Sequence, residues 1–384
     1  MNADVPGVKI VIAPDSYKGS LSAPRVADAL ARGLERRLPR ATLAVCPLAD
    51  GGEGTLDCVA RGVACQQHHA RVTGADGRPV DAPWLRLADG SAVLESASVV
   101  GLPLLDRQPP APAHRTSRGL GELAHAAINA GARRIALGLG GSSTNDGGAG
   151  LLVGLGARLL DAGGRELEPV PAELARVTRV DFSNLDHRTR DVEWIGLSDV
   201  DNPLTGERGA TAVYGPQKGV AASDVPRLDE ALRVFARACG AALRRDLAAT
   251  PGAGAAGGLG YALLCLGGRL VSGGDYLIEL VGVAQQLPGA TLLITGEGRT
   301  DAQTLQGKLP ARLGERARRA GVPVVLISGA VDRAARPALD DRFAACLSIA
   351  DGPLPLEAMV RDAELLLELA GAGLGGLVDA LARR

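Results

Sequence analysis

Five short apolar runs, each ending abruptly in glycine and charge, set the strongest limit on what this chain can fold into. They are "VKIVIAP" (Val8 to Pro14), "ATLAVCPLA" (Ala41 to Ala49), "RRIALGL" (Arg133 to Leu139), "EWIGL" (Glu193 to Leu197) and "TLLI" (Leu292 within Thr291 to Ile294). Runs this short and this apolar read as strands, the first, second and fifth of them as buried strands. Between the first two lies "PRVADALARGLERRL", with Val26, Leu30, Leu34 and Leu38 at helical spacing and Pro24 where a first helical turn tolerates it. Strand, helix, strand, helix is the signature of a parallel sheet.

The rhythm is not uniform. Around residues 65–98, "GADG" and "ADG" punctuate short extended runs, which predicts antiparallel hairpins. Beyond them, "SRGLGELAHAAINAGA", "GLLVGLGARLLDAG" and "LDEALRVFARACGAALRRDLA" read as helices. From Ala290 the opening rhythm returns, closing on a long apolar helix in "EAMVRDAELLLELAGAGLGGLVDALARR". The expectation is therefore an α/β chain. A Rossmann-like parallel-sheet domain is built from both termini (residues 1–69 plus 289–384), and a second α/β domain is inserted at residues 70–288.

Composition removes several classes of function. Net charge is −1 and aromatic content 2%. That leaves neither a general pull toward polyanions nor many rings to stack on bases, so nucleic acid is not an expected partner. Six scattered cysteines without a Cys-x-x-Cys pair build neither a zinc cage nor a disulfide framework. No basic-then-apolar leader and no run of about 18 apolar residues is read, so a cytoplasmic location without a membrane is expected. The five histidines fall outside the loops discussed next and read as structural or surface residues.

Each of the five apolar runs leads into a loop of glycine, hydroxyl and charge. The loops are "DSYKGSLSA", "DGGEGT", "GLGGSSTNDGG", "SDVDNPLTGERG" and "GEGRTDAQTLQGK". Ligands of open α/β sheets bind at the carboxyl ends of the strands. Successive N–H groups in Gly-rich turns attract anions. Lys18, Lys218 and Lys308 sit in or beside such segments, with Asp15, Asp50, Glu53, Asp146, Asp199, Asp201, Glu297 and Asp301. Lysine and glycine suit phosphates. Aspartates suit a magnesium ion that is shared with phosphate oxygens, or take a proton from an alcohol. The inventory fits phosphoryl transfer. The familiar motifs are absent: Gly307-Lys308 is followed by leucine, and the G-x-G-x-x-G at Gly252 to Gly257 follows no strand.

The blocks "APDSYKGSLSA", "PLADGGEGT", "TSRGLGEL", "GLGGSSTNDGGAG", "SDVDNPLTGERGA", "GPQKG", "GAAGGLG" and "TGEGRTDAQTLQGK" follow one another in this order. In that, the chain resembles the bacterial glycerate kinase family that includes the glycerate 2-kinases. The resemblance implies a two-domain α/β enzyme with its active site between the domains. ATP and D-glycerate would be its substrates and Mg2+ its cofactor. It implies that Asp50, Gly51, Gly52, Glu53, Gly54 and Thr55, with Gly140, Gly141, Ser142, Asn145 and Asp146, surround phosphate and metal. Lys18 and Lys308 would neutralise phosphate charge, Lys218 and Glu297 would line the same surroundings, and Arg299 would fork onto a carboxylate. Asp199, then Asp301, is the expected catalytic carboxylate, with Asp199 and Asp146 as metal ligands. Phosphorylation at the 2-hydroxyl is favoured. Another small hydroxy-acid as acceptor, or a non-catalytic sensor, are the alternatives. The sequence permits a homo-oligomer.

Overall fold

The computed structural model describes residues 7–382. Its two main sheets use strands β1 (Lys9–Ile12), β2 (Thr42–Val45), β3 (Cys65–Thr73), β4 (Pro79–Leu87), β5 (Ala92–Glu95), β6 (Arg134–Gly138), β7 (Glu193–Leu197), β8 (Arg269–Val271), β9 (Leu292–Thr295), β10 (Val324–Ser328) and β11 (Ala345–Ser348). The helices that matter below are α1 (Ala23–Arg37), α2 (Thr55–Gly62), α3 (Arg118–Asn129), α4 (Ala149–Gly154), α5 (Ala210–Tyr214), α6 (Val225–Leu243), α7 (Ala255–Cys265), α8 (Gly273–Val281), α9 (Leu309–Arg319) and α10 (Ala363–Ala382).

The chain divides into two compact units. One takes the residues up to Asp50, Asp57–Val63 and those from Gly274 onward; the other takes Gly51–Leu56 and Ala64–Gly273. These joints differ from the expected cuts at 69/70 and 288/289, for visible reasons. Strand β3 pairs with β4 along its whole length, so the chain enters the second sheet at Cys65. Helix α8 is tied back to α9 by Asp275, which pairs with Arg312 and with Arg316 at 3.0 Å.

In the first unit, five parallel strands lie in the order β11-β10-β9-β1-β2. Ile10, Ile12, Leu292, Ile294 and Ile327 are buried together against the inner faces of α1 and α10. These two helices approach closely because glycines face them: a Cβ on Gly33 would lie 2.1 Å from the Glu368 carbonyl oxygen. A rim of Arg25, Arg32 and Arg36 paired with Glu364 and Glu368 borders the contact.

In the second unit, β5, β6, β7 and β8 run parallel, and β3 and β4 add an antiparallel hairpin at the edge. Its core gathers Trp84, Leu94, Leu123, Ile135, Trp194, Phe235 and Tyr261. Two expected helices are shorter than the sequence suggests. "GLLVGLGARLLDAG" is helical only to Gly154; Gly156 at φ +107° turns the chain into a strand over Arg158–Leu160. The last helix is broken at Asp362, leaving Leu356–Arg361 separate from α10.

Candidate active site

The loops singled out in the sequence form two clusters, one in each unit. In the first unit the strand order reverses between β1 and β9, the topological switch point at which open parallel sheets bind ligands. Both neighbouring strands end there in a candidate loop. The Asp15 N–H donates to the Gly296 carbonyl at 2.8 Å, and the buried Tyr17 hydroxyl donates to the Ile327 carbonyl at 2.8 Å. These bonds stitch the loop after β1 onto the loop after β9 and the end of β10.

The side chains here are charged and close. Lys18 lies 3.4 Å from Asp50, and the Asp50 carboxylate pushes the Lys18 ammonium above its ordinary range. Glu297 is nearly buried. It accepts from the Thr304 hydroxyl at 2.6 Å and the Thr300 hydroxyl at 3.3 Å, with Lys308 at 3.4 Å. Asp301 caps the turn that follows it: its carboxylate accepts the Gln303 N–H at 2.9 Å, with Lys308 at 3.9 Å. Arg299 is exposed, and its guanidinium makes no hydrogen bond or ion pair among the described residues.

Asp15 lies outside the set of residues that the family resemblance assigns to the site. Burial, reinforced by the negative charge of Asp50, pushes its carboxyl up to about 7. No local signal in "APDSY" announces this. It depends on Asp50 and Glu297 arriving from elsewhere in the chain.

In the second unit the cluster is built mostly of backbone. Gly140 donates to the Gly51 carbonyl at 3.1 Å, and a Cβ on Gly140 would lie 2.5 Å from Gly52 Cα. The Gly147 N–H donates to the Gly257 carbonyl at 2.9 Å, and Gly257 and Gly258 hold left-handed φ of +72° and +98°. Much of the glycine in "DGGEGT", "GGSSTNDGG" and "GAGAAGG" therefore lets loop backbones touch one another.

This corrects two expectations. The carboxylate of Asp146 is fully buried and saturated. It accepts from the Ser117 N–H (2.7 Å) and hydroxyl (2.8 Å), and from the N–H groups of Gly148 and Gly150 (both 3.1 Å). It ties α4 to the start of α3 and has no oxygen facing a metal. Thr55 is likewise buried, donating to the Gly52 carbonyl at 2.7 Å. The N-terminus of α2 already holds an anion, the protein's own Glu95, which accepts from Gly54 (3.2 Å) and Leu56 (3.0 Å). Within "DGGEGT" only the Glu53 side chain is exposed in this unit.

One buried charged group of the second unit stands out. Lys218 is buried; its ammonium donates to the Ser142 hydroxyl at 3.0 Å and the Thr144 carbonyl at 2.7 Å. Burial pushes the group down to about 7. Asn145 beside it donates to the Thr211 hydroxyl at 2.9 Å, while its Oδ1 is buried without a hydrogen-bond partner. Lys218 lines a cavity of about 280 Å3 with Gly140, Gly141, Ser142, Ser198 and Tyr214. Asp199 stands exposed between two lining residues, Ser198 and Val200.

No group of three or more His, Cys, Asp or Glu side chains among the described residues forms a metal cage. A magnesium ion shared with phosphate and water needs only one or two protein carboxylates. Of the two expected ligands, Asp199 fits that role and Asp146 does not.

Comparison with known proteins agrees over nearly the whole chain. The model of the glycerate kinase family matches residues 10–378. A glycerate kinase of Bacillus subtilis (strain 168) is 44% identical over 91% of this chain and 92% of its own. A glycerate 2-kinase of Escherichia coli (strain K12) is 42% identical over 84% and 86%. The crystal structure of a putative glycerate kinase 2 from Salmonella typhimurium LT2 superposes with a TM-score of 0.86 at 38% identity, covering 98% of this chain and 100% of that one. With its motifs in family order and a fold that matches a solved relative end to end, the chain belongs to the glycerate kinase family.

Proposed function

We propose that this protein transfers the γ-phosphoryl group of ATP to the 2-hydroxyl of D-glycerate, giving 2-phosphoglycerate and ADP, in the cytoplasm. The observation that carries the reading is the Lys218 ammonium beside Ser142 in a cavity of about 280 Å3. That volume lies at the small end of ligand pockets and suits a short organic acid better than a whole nucleotide. Lys218 and Ser142 are polar groups of the kind that hold a carboxylate, and the apolar lining from Leu102 and Leu139 limits the rest of the acid. Asp199, at the edge of the cavity, takes the proton of the attacking hydroxyl or orients it. The acceptor oxygen then bonds to the γ-phosphorus as the bond to the β-phosphate oxygen breaks.

The first unit's cluster has the chemistry for the triphosphate. Lys18, Lys308 and Arg299 supply positive charge at a switch point, and Asp15, protonated up to about 7, adds no repulsion below that pH. Asp199 would hold magnesium, which when bound supplies charge neutralisation on the transferring group. The Escherichia coli relative's designation as a glycerate 2-kinase supports the 2-hydroxyl as acceptor. Release of ADP with D-glycerate, and phosphorus NMR of the product, test the reading. Turnover with lactate or tartrate but not glycerate, or a 3-phosphoglycerate product, would overturn it.

A further inference from the structure

A second hollow, of about 490 Å3, lies in the second unit at the C-terminal end of α6 and has no part in the function proposed above. Four arginines line it, Arg233, Arg237, Arg244 and Arg245, against one carboxylate, Asp246. Asp246 is engaged in its own turn, accepting the Ala248 N–H at 3.1 Å. Arg233 pairs with Asp229 at 2.6 Å and with Glu230, and Arg237 pairs with Glu230 at 3.1 Å. Arg244 and Arg245, both exposed lining residues, make no side-chain hydrogen bond or ion pair among the described residues, so the positive charge beside the hollow is not offset by carboxylates.

Cations near a helix C-terminus have an ordinary explanation in the helix dipole. It does not account for Arg244. This residue holds φ +56° at the position just past the helix, where glycine is the usual choice. A side chain there costs on the order of 1 kcal/mol of backbone strain, which a mere dipole partner one turn earlier would avoid.

The hollow is also wired to the loop that carries Asp199. Thr205 lines it, and the next residue, Gly206, donates its N–H to both oxygens of Asp229 at 2.9 and 3.1 Å. Asp229 is the carboxylate that holds Arg233. The loop over residues 198–209 is thus anchored by a carboxylate whose counter-ion faces the hollow.

We infer that this hollow is an effector site for a small anion of two or more negative charges, whether a phosphate ester or a polycarboxylate. The forks of Arg244 and Arg245 bind it, and it competes with Asp229 for Arg233. Its arrival withdraws the counter-ion from Asp229, changes how that carboxylate holds the Gly206 N–H, and so shifts the loop that bears Asp199. The binding stands independently of the kinase reading; only the consequence at Asp199 rests on it.

Calorimetric titration of the full-length protein with pyrophosphate, and separately with citrate, decides the matter. Both titrations use constant ionic strength and no magnesium, on the wild type and on an Arg244→Gly/Arg245→Ala variant. The glycine relieves the positive φ, so the variant keeps its fold, which its melting temperature verifies. The expected result is one saturable site for at least one probe, weakened tenfold or more in the variant. No saturable binding, or equal binding in the variant, would overturn the site. A second arm measures glycerate-dependent ADP release at fixed free magnesium. A change in kcat of twofold or more with saturating anion, absent in the variant, is expected; an unchanged kcat would overturn the effector role.

Discussion

The two loop clusters reach the same end by opposite means. In the first unit the work falls to side chains: Lys18, Asp50, Glu297 and Lys308 are grouped at a switch point, and Asp15 holds a proton up to about 7. In the second unit it falls to backbone, with glycines packed against glycines around one buried ammonium that gives up its proton at about 7. A carboxyl pushed up and an ammonium pushed down are the same response to desolvation. Their effects on folding have opposite sign. Asp15, raised above its unfolded value, contributes stability that is fully present below about pH 4 and lost as pH rises through 7. Lys218, depressed below its unfolded value, contributes stability that is present above about pH 10 and lost as pH falls through 7. For anion binding the signs agree, because above pH 7 one cluster gains a negative charge and the other loses a positive one.

The hardest blow to this contrast is Lys218→Met. Removing the only ammonium in its cavity takes away a desolvated charge–carboxylate contact, a loss on the order of 4 kcal/mol or about a thousandfold in kcat/KM for glycerate. The variant folds: an apolar chain replaces a buried charge, so its melting temperature is unchanged or higher, with the larger gain at pH 6 than at pH 9. Steady-state kinetics beside thermal melts checks both halves. Wild-type kcat/KM in a folded Lys218→Met protein would end the role given to this residue.

Next in size is Gly257→Ala. At φ +72° an added Cβ would lie 2.1 Å from the Thr144 carbonyl oxygen, which is backbone and cannot swing aside. Left-handed strain and overpacking together cost about 2–5 kcal/mol in denaturant unfolding. A loss under 1 kcal/mol would mean that these loops are looser than their glycine interlock implies.

Smaller again is Asp15→Asn. In the wild type, KM for ATP rises as pH passes from 6 to 8, by up to about tenfold per unit as Asp15 ionises. The asparagine variant keeps a flat profile over that window. The glycerate KM, governed by Lys218, still rises in it. If both profiles flatten together, the two clusters are not separable in the way described.

How much of this the sequence carried depends on the kind of interaction. The first sheet was legible because β1 and β9 are continuous apolar runs buried on both faces, and the loops after them are unmistakable; β2 has the same composition but is a half-exposed edge strand, not the buried one its apolar run predicts. Lys218 was legible as a residue but not as a buried one, since "GPQKG" looks like an exposed turn. The role of Asp146 was misread because its four donors come from Ser117, Gly148 and Gly150, two of them glycines that look like a phosphate cradle. Glu95 at the start of α2 was missed altogether. Nothing in "VLESAS" marks a glutamate that reaches across to Gly54 and Leu56. The same composition serves a ligand's oxygens or the protein's own, and only the third dimension separates them.

The smallest effect sharpens that last distinction. Gly54 has φ +87°, yet a Cβ placed on it would meet nothing within 4 Å. Gly54→Ala therefore costs strain alone, about 1 kcal/mol in unfolding, against the larger loss at Gly257. Its N–H remains free to donate to Glu95, so the start of α2 stays capped. If "DGGEGT" serves only to seat one loop on another, kcat and both KM values stay within twofold of wild type. If instead ligand oxygens approach the open side of this loop, the added methyl raises one KM severalfold while stability falls by the same 1 kcal/mol. A glycine with room around it is the position where the two uses of bare backbone give different answers, and kinetics beside unfolding on this single variant reads which use applies.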